Sequence, residues 1–175
     1  VFGSMLLSLM RYADRIKIAC QSLLVNTIPL ILTEKGGKAW RNAIFYPLLH
    51  ASLYGRGEVL INVIDTPRYD TADYTDVPVV DCVTVLNEER NELTVFAINR
   101  DEEAILLNID ARDFKGCRVK EHIVLKNDNL NAVNSSEDPY KISPALCSNS
   151  TYDNGKIESL LDKYSWNVIR LGVTL

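Results

Sequence analysis

The side chains best placed for chemistry are three polar residues inside the most apolar run of the chain. Gln21, Ser22 and Asn26 interrupt the run at 16–32, which reads IKIACQSLLVNTIPLIL. None of the three is an acid or a base at ordinary pH, but each can hydrogen-bond a ligand rich in hydroxyl groups, such as a sugar. Polar residues at the carboxyl end of a buried strand often contact ligands, in open sheets and in barrels. The run therefore predicts a binding site without catalytic groups.

The element that positions these residues has to be inferred from the run itself. A membrane span needs about 20 mostly apolar residues, whereas this run carries Lys17 and is interrupted by polar residues and by Pro29. Proline also disrupts the interior of a helix. The β-branched residues and the short length predict a strand at 16–22, buried on both faces, that leads into a loop. On the plainer interpretation, this strand and loop belong to the core and border no ligand.

The length and the charge of the chain limit the classes of function. The 175 residues suffice for one domain, or for one domain and a piece of another. A net charge of -4 without any cluster of Lys and Arg argues against a nucleic-acid partner. The sequence contains no GxSxG, no phosphate loop and no dinucleotide fingerprint. We therefore predict no cofactor, no membrane span and no nucleic-acid partner.

The potential metal ligands are few and scattered. The four cysteines form no CxxC pair, and they are Cys20, Cys82, Cys117 and Cys147. Because only His50 and His122 could join them, a zinc site is not predicted. We expect the cysteines to be reduced and the protein to be cytoplasmic. A calcium loop at Asp70, Asp73 and Asp76 is a weak alternative, because the glycine and the closing glutamate of an EF-hand are missing.

The first part of the chain has the pattern of an α/β protein. Apolar residues at helical spacing predict a helix over 4–12, before the buried strand. A second helix is predicted over 39–54, with Pro47 kinking or restarting it and Gly55 ending it. A single strand between two helices would leave its backbone unpaired, at a high free-energy cost. This part therefore looks like the end of a larger α/β domain.

From Glu58 onwards the sequence has the pattern of an antiparallel β-sandwich. A loop is predicted at 65–78 and a long exposed loop at 127–164. Five strands with alternating patterns are predicted at 79–86, 93–99, 104–110, 118–125 and 165–173. Two glycosylation patterns begin at Asn134 and Asn149, without a secretion signal to support them. The sequence thus divides into 1–57 and 58–175.

Five blocks, in order, resemble the C-terminal part of the family 51 glycoside hydrolases, the α-L-arabinofuranosidases. They are LMRYADRIKIACQSLLVN, GGKAWRNAIFYPLLHASLYGRG, DVPVVDCVTVLNEERNELTVFAINR, KEHIVLKNDNLNAVN and SWNVIRL, and together they cover nearly the whole chain. The resemblance implies the last strand (IKIAC) and helices of a (β/α)8 barrel at 1–57. It also implies a jelly-roll sandwich at 58–175.

The resemblance also implies an activity. Family members release terminal α-L-arabinofuranosyl groups from arabinoxylan and arabinan with retention, using two glutamates about 5 Å apart. In the family both glutamates precede the part that this chain matches, so no catalytic residue is assigned here and the chain alone is expected to be inactive. The implied substrate is an arabinose-containing oligosaccharide, and the implied assembly is a homo-oligomer.

One position departs from the family pattern A-C-x-A-Q-L-V-N. Alignment on Ala19, Cys20, Leu24, Val25 and Asn26 puts Leu23 where the family has a glutamine that contacts arabinose. Losing such a contact costs about 1–3 kcal/mol. Gln21, two residues earlier on the same side of an extended strand, is the candidate substitute. The predicted substrate-binding residues are Gln21, Ser22, Leu23 and Asn26.

The alternative hypothesis is a free-standing sandwich that binds polysaccharide or another subunit without catalysis. It predicts a row of exposed aromatic residues, for which the candidates are Tyr69, Tyr74, Tyr140 and Tyr152. Their scatter through predicted loops weakens this hypothesis. The presence or absence of a barrel with two strand-end glutamates upstream of Val1 distinguishes the two.

Overall fold

The architecture is a sandwich of antiparallel sheets with two helices on one side. The computed structural model describes residues 1–23 and 25–174, so Leu24 and Leu175 lie outside the described residues. The helices are α1 (Phe2–Arg11) and α2 (Phe45–Tyr54). The strands are β1 (Ile31–Thr33), β2 (Ala39–Arg41), β3 (Glu58–Leu60), β4 (Arg68–Tyr69), β5 (Val77–Pro78), β6 (Val80–Asn87), β7 (Glu92–Asn99), β8 (Ile105–Asp110), β9 (Lys115–Leu125), β10 (Ala145–Cys147), β11 (Ser150–Asp153), β12 (Lys156–Leu161) and β13 (Ser165–Thr174).

Two sheets form the sandwich. The larger has six strands in the order β10-β9-β13-β7-β6-β3, and the smaller has three in the order β11-β12-β8. Every pair of neighbours in both sheets is antiparallel. Two short hairpins, β1-β2 and β4-β5, lie outside these sheets. The predicted antiparallel sandwich is therefore confirmed.

The six-stranded sheet is buried on both faces. All eight residues of β7 are buried, and alternate side chains enter different cores. Val95 and Ala97 belong to a core that also contains Ile157 from the three-stranded sheet. Phe96 belongs to a second core, together with Leu7 of α1 and with Tyr46 of α2. The two helices thus cover the face of the large sheet that the small sheet leaves open, since strand side chains alternate between faces.

The long exposed loop predicted at 127–164 is wrong in its second half. Strands β10, β11 and β12 lie there, and Ile157 and Leu161 are fully buried. Strands β11 and β12 are joined by a two-residue turn of Asn154 and Gly155, with φ of 47° and 83°. Asn-Gly is the strongest short-range sequence signal for such a hairpin, and the polar composition around it concealed the signal.

The predicted buried strand at 16–22 is also wrong. No residue between Ile16 and Leu23 is in a strand, and Ile18 is 83% exposed. A strand of this kind needs neighbours that pair with its backbone on both sides. The described residues place no such neighbour beside it, so the segment is not paired into a sheet.

The predicted helix over 39–54 begins six residues later than expected. Residues 39–41 form β2, which pairs with β1 in a hairpin, and α2 starts at Phe45. Pro47 lies in the first turn of α2, where a missing N–H costs nothing because first-turn amides have no partner within the helix. Pro47 therefore neither kinks nor restarts a longer helix, because the helix begins only at Phe45. The first predicted helix is confirmed as α1.

The chain turns sharply into the sandwich at Gly57. Its φ is +139°, and a Cβ at this position would lie 2.0 Å from the carbonyl oxygen of Leu86. Only glycine fits so close to the backbone of β6.

Neither α1 nor α2 has the length and the apolar character that a membrane crossing requires, and the described residues contain no other helix long enough.

Candidate functional site

The predicted binding residues lie in one loop between α1 and the β1-β2 hairpin. The 21–28 loop is held at its end by a parallel bridge between Val25 and Ile31. The backbone N–H of Asn26 donates to the carbonyl oxygen of Ile31 over 3.1 Å. The structure thus brings Gln21, Ser22, Leu23 and Asn26 together in one loop, whereas Leu24 lies outside the described residues.

Asn26 shapes the loop with its side chain. Its Oδ1 accepts from the backbone N–H of Thr33, and its Nδ2 donates to Thr33 Oγ1, both over 2.8 Å. Gln21 makes a weaker contact, in which Nε2 donates to the carbonyl oxygen of Ile28 over 3.3 Å. The oxygen and the nitrogen of the Asn26 side chain are therefore both hydrogen-bonded to Thr33. The side chain of Gln21 is more available to a ligand.

The backbone of the loop is strained. Ser22, Asn26 and Ile28 have φ values of 36°, 61° and 47°, in the left-handed region. For a β-branched residue such as Ile28 this conformation is rare. Such strain concentrates at ligand sites, where the surrounding structure holds it in place. Ser22 is exposed, and Leu23 is 62% exposed.

The sandwich holds the hairpin that carries the loop. Trp40 Nε1 on β2 donates to the carbonyl oxygen of Asn134 over 3.0 Å. Asn134 Nδ2 donates to the carbonyl oxygens of Arg41 and Ile142, each over 2.9 Å, and Asn134 Oδ1 accepts from the Ile142 N–H. Asn134 is buried, so the glycosylation pattern at this position has no accessible amide. We call the hydrogen bonds between Asn134 and the hairpin residues Trp40 and Arg41 the clamp. No pattern in the sequence indicated these contacts.

The loop carries no acid or base. The run from Ile16 to Thr33 contains no Asp, Glu or His. Within 1–23 and 25–174, no three His, Cys, Asp or Glu side chains are grouped to hold a metal ion. At the weak calcium candidate, Asp70 Oδ1 accepts from the Asp76 N–H, and Asp76 pairs with Arg68. The loop can therefore orient a polar ligand but cannot transfer protons to it.

His50 has a structural role as a hydrogen-bond acceptor. Trp166 Nε1 donates to His50 Nδ1 over 3.1 Å, which joins α2 to the six-stranded sheet. Burial lowers the pKa of His50 to about 4, against the opposing charge of Glu121. The imidazole is therefore neutral at pH 7.

His122 is held in a chain of buried hydrogen bonds. Asn167 Nδ2 donates to Ser165 Oγ, so Asn167 Oδ1 faces His122 Nε2 over 3.1 Å and accepts its hydrogen. His122 Nδ1 then accepts from Ser150 Oγ over 2.8 Å, and Ser150 Oγ contacts Ser159 Oγ over 2.7 Å. Burial lowers the pKa of His122 as well. His122 therefore has a structural role in the sheet.

The cysteines fit the expectation of reduced thiols. All four are free, and Cys82 and Cys117 are buried. Burial raises the pKa of Cys82 to about 11, so this thiol is protonated and unreactive at pH 7.

Solved structures of family 51 glycoside hydrolases contain the same fold. An α-L-arabinofuranosidase from Bifidobacterium longum matches 97% of this chain with a TM-score of 0.90 and 30% identity, and the match covers 33% of that chain. An arabinofuranosidase from Xanthomonas axonopodis pv. citri matches 97% of this chain with a TM-score of 0.87. Its identity of 17% supports the likeness of fold alone. The architecture is that of a β-sandwich region of these enzymes.

The chain belongs to the α-L-arabinofuranosidase C-terminal domain family, whose model matches residues 1–165. An intracellular exo-α-(1→5)-L-arabinofuranosidase from Halalkalibacterium halodurans is 48% identical over 171 residues, which are 97% of this chain. One with the same activity from Bacillus subtilis is 46% identical over 169 residues. The chain spans 34% of the length of each of these two relatives.

Proposed function

We propose that the chain is the C-terminal part of an intracellular enzyme that releases terminal α-L-arabinofuranosyl groups from arabinan-type or arabinoxylan-type glycans. The observation that carries this proposal is 48% identity, across 97% of the chain, to a relative named as an exo-α-(1→5)-L-arabinofuranosidase. The match runs over 171 residues, so the likeness rests on sequence as well as on fold.

The proposal assigns the two parts of the chain to different domains. Residues 1–57 form the end of a (β/α)8 barrel, and 58–175 form a jelly-roll sandwich. The change of sequence character at Gly57 supports this boundary, and so does the sharp turn there.

The catalytic groups of the proposed enzyme lie outside this chain. Retention requires two carboxyl groups about 5 Å apart, one as nucleophile and one as acid/base. The 21–28 loop contributes sugar contacts only. Of the four proposed contact residues, Gln21 has the more available amide, Ser22 and Leu23 are exposed, and Asn26 fixes the loop through Thr33. No cofactor takes part in this chemistry.

The test compares the full-length polypeptide with the 175-residue chain on p-nitrophenyl α-L-arabinofuranoside and on a (1→5)-linked arabino-oligosaccharide. We expect turnover of both substrates by the full-length protein and none by the 175-residue chain. A matched β-D-xylopyranoside is the specificity control. An inactive full-length protein, or hydrolysis by the 175-residue chain, contradicts the proposal.

A homo-oligomeric assembly is part of the same proposal. Sedimentation of the full-length protein at several concentrations tests it, and a monomer at every concentration contradicts it. Binding of nucleic acid is not expected, because the net charge is -4.

A further inference from the structure

A pocket of about 360 Å³ lies at one end of the six-stranded sheet. It is formed by the turn between β6 and β7, the first half of β9 and the end of β13. The other end of β9 leads towards Asn134 and the clamp. The proposed activity uses the 21–28 loop, which the clamp supports, and does not use this pocket.

The backbone around the pocket is irregular. The pairing of β9 with β13 shifts just before Leu171 and just after Gly172, and each shift adds one residue to β9. Such bulges redirect side chains and are common next to binding sites. A Cβ on Gly172 would lie 3.2 Å from Arg118 Nε and 3.1 Å from Lys120 Cε. Both basic side chains therefore lie across this glycine, on the same side of the sheet.

The charge of the pocket is positive. Among the described residues its lining contains three basic side chains, Arg90, Arg118 and Lys120, and no acidic one. Lys120 Nζ lies 2.9 Å from Glu92 Oε2. Neither arginine pairs with a carboxylate within 1–23 and 25–174. Two positive charges therefore lie together at the pocket without compensation.

The acidic residues nearby already have partners or lie elsewhere. Glu92 is buried and accepts hydrogen bonds from Arg170 and from Lys120. Glu121 pairs with Arg170 as well, so these two acids and two bases balance each other. The acids at 88–89, in the turn between β6 and β7, line a separate cavity. The two arginines of the pocket are therefore left to attract an anion from solution.

We propose that this pocket binds one small phosphate monoester, of which a sugar phosphate is an example. A guanidinium group donates two parallel N–H bonds to the oxygens of an oxyanion. A carboxylate has only two oxygens, which one arginine satisfies. A phosphate monoester has three terminal oxygens and nearly two negative charges, which match Arg90 and Arg118 acting together.

The remainder of the pocket also suits such a ligand. Gly116 has a φ of +58°, and a Cβ there would lie 2.6 Å from Thr174 Oγ1. Glycine thus leaves space beside a hydroxyl group that can donate to a phosphate oxygen. The volume of about 360 Å³ is within the range of small-molecule pockets and leaves room for the sugar. A nucleic acid fits less well, because such partners take roughly 6–10 phosphate contacts.

Titration calorimetry of the full-length polypeptide with glucose 6-phosphate tests the inference. We expect a Kd below about 1 mM and no binding of glucose, the neutral control. Arg118→Gln should weaken binding at least about tenfold, because it removes charge-assisted hydrogen bonds. Arg68→Gln is the matched control, since Arg68 is an exposed arginine on β4, outside the pocket. No binding, equal affinity for glucose, or equal effects of the two substitutions would overturn the inference.

Two further anions identify the group that the pocket selects. Glucuronate carries a carboxylate in place of the phosphate and should bind at least about tenfold more weakly than glucose 6-phosphate. Binding of glucuronate with the same affinity contradicts the choice of a phosphate ligand. Inorganic phosphate measures the share of the sugar. Weaker binding of inorganic phosphate supports contacts to the sugar, and equal binding supports a site for the phosphate group alone.

The variant Gly172→Ala separates a shaped pocket from a diffuse attraction. It keeps every charge but places a methyl group against Arg118 and Lys120, so binding should weaken several-fold. An unchanged affinity would mean that no defined pocket holds the ligand, and would contradict the inference.

Thermal unfolding guards against variants that fail to fold. Arg118 has no ion-pair partner among the described residues and lies beside another cation, so Arg118→Gln should not lower the unfolding midpoint. Glucose 6-phosphate should raise the midpoint of the wild type and of Arg68→Gln but not of Arg118→Gln, because a ligand stabilises the state that binds it. An equal rise in all three proteins places the ligand elsewhere. This binding does not depend on arabinofuranosidase activity, so failure of one proposal leaves the other testable.

Discussion

The six-stranded sheet and the segment 16–28 are both rich in apolar residues, but the sheet buries them and the segment exposes several of them. Phe96 and Val168, which are register partners on β7 and β13, are fully buried. Ile18 and Ile28 are 83% and 71% exposed. The difference follows from pairing, because β7 and β13 have neighbours on both sides and 16–22 has none. Apolar composition predicts burial only where the backbone has partners.

The two regions also differ in the burial and the hydrogen bonding of their polar groups. In the sheet, His122 and Asn167 are buried, and their side-chain nitrogen and oxygen atoms all have hydrogen-bond partners. In the 21–28 loop, Ser22 and Leu23 face solvent on a strained backbone. A region whose groups are satisfied internally specifies structure, whereas a region with exposed, strained groups is available to a ligand.

The largest effect should come from the core of the sheet. Phe96→Ala removes a fully buried ring that lies 5.8 Å from the ring of Trp166, and we expect a loss of about 3–5 kcal/mol in the free energy of unfolding. The matched change Ile18→Ala, in the exposed segment, should change it by less than about 0.5 kcal/mol. Urea unfolding of the 175-residue chain, followed by tryptophan fluorescence, measures both. Comparable losses at the two positions would mean that segment 16–22 is buried in solution.

The contact between α2 and the six-stranded sheet should also make the protein sensitive to acid. The pKa of His50 is lowered from 6.5 to about 4 by burial, so its contribution to stability is complete above pH 6.5 and is lost as the pH falls towards 4. One such histidine corresponds to about 2–3 kcal/mol over that range. The pKa of His122 is lowered too, and acts in the same direction.

The variant His50→Gln isolates this effect, because an amide oxygen can still accept from Trp166 Nε1 but does not titrate. Urea midpoints at pH 7.5, 6 and 5 should fall more steeply for the wild type than for the variant. The contribution of Glu92 belongs to a lower pH, because burial alone would raise its pKa but Arg170 and Lys120 hold it below 4.5. Parallel profiles would show that His50 does not titrate in this range.

The sandwich was predictable from the sequence because its signals are local. Alternation of apolar and polar residues located β6, β7, β8, β9 and β13 to within a few residues. The clamp on the β1-β2 hairpin was not predictable, since Trp40 and Asn134 are 94 residues apart. The conformation of segment 16–22 was not predictable either, because burial of a strand depends on neighbours that the pattern itself cannot supply. The candidate loop was found because polar residues stand out in an apolar run, but its strain is visible only in three dimensions.

The clamp connects the two regions, so breaking it tests their coupling. Asn134→Ala removes the hydrogen bond from its side chain to the Arg41 carbonyl oxygen, and leaves the buried Ile142 N–H unpaired. We expect a loss of about 1–3 kcal/mol in stability. In the proposed full-length enzyme we expect KM for the arabinofuranoside to rise several-fold, with a smaller change in kcat, because the hairpin that carries the 21–28 loop loosens. The control is Asn131→Ala, an exposed asparagine of the same segment. An unchanged KM for Asn134→Ala in a folded protein would show that the sandwich does not position the loop.

The smallest expected change, and the one most specific to substrate binding, concerns kcat/KM after substitution of Leu23. Leu23→Gln supplies an amide where the family pattern has one, and Leu23 is 62% exposed, so the longer side chain meets no packing barrier. We expect kcat/KM of the full-length enzyme for the arabinofuranoside to rise about tenfold, which is about 1.4 kcal/mol. The control Leu23→Met changes the shape but adds no amide. If Gln21 now serves as the substitute, Gln21→Ala should reduce kcat/KM strongly in the wild type and weakly beside Leu23→Gln, as a double-mutant cycle measures. Equal effects of Leu23→Gln and Leu23→Met would place Leu23 away from the sugar.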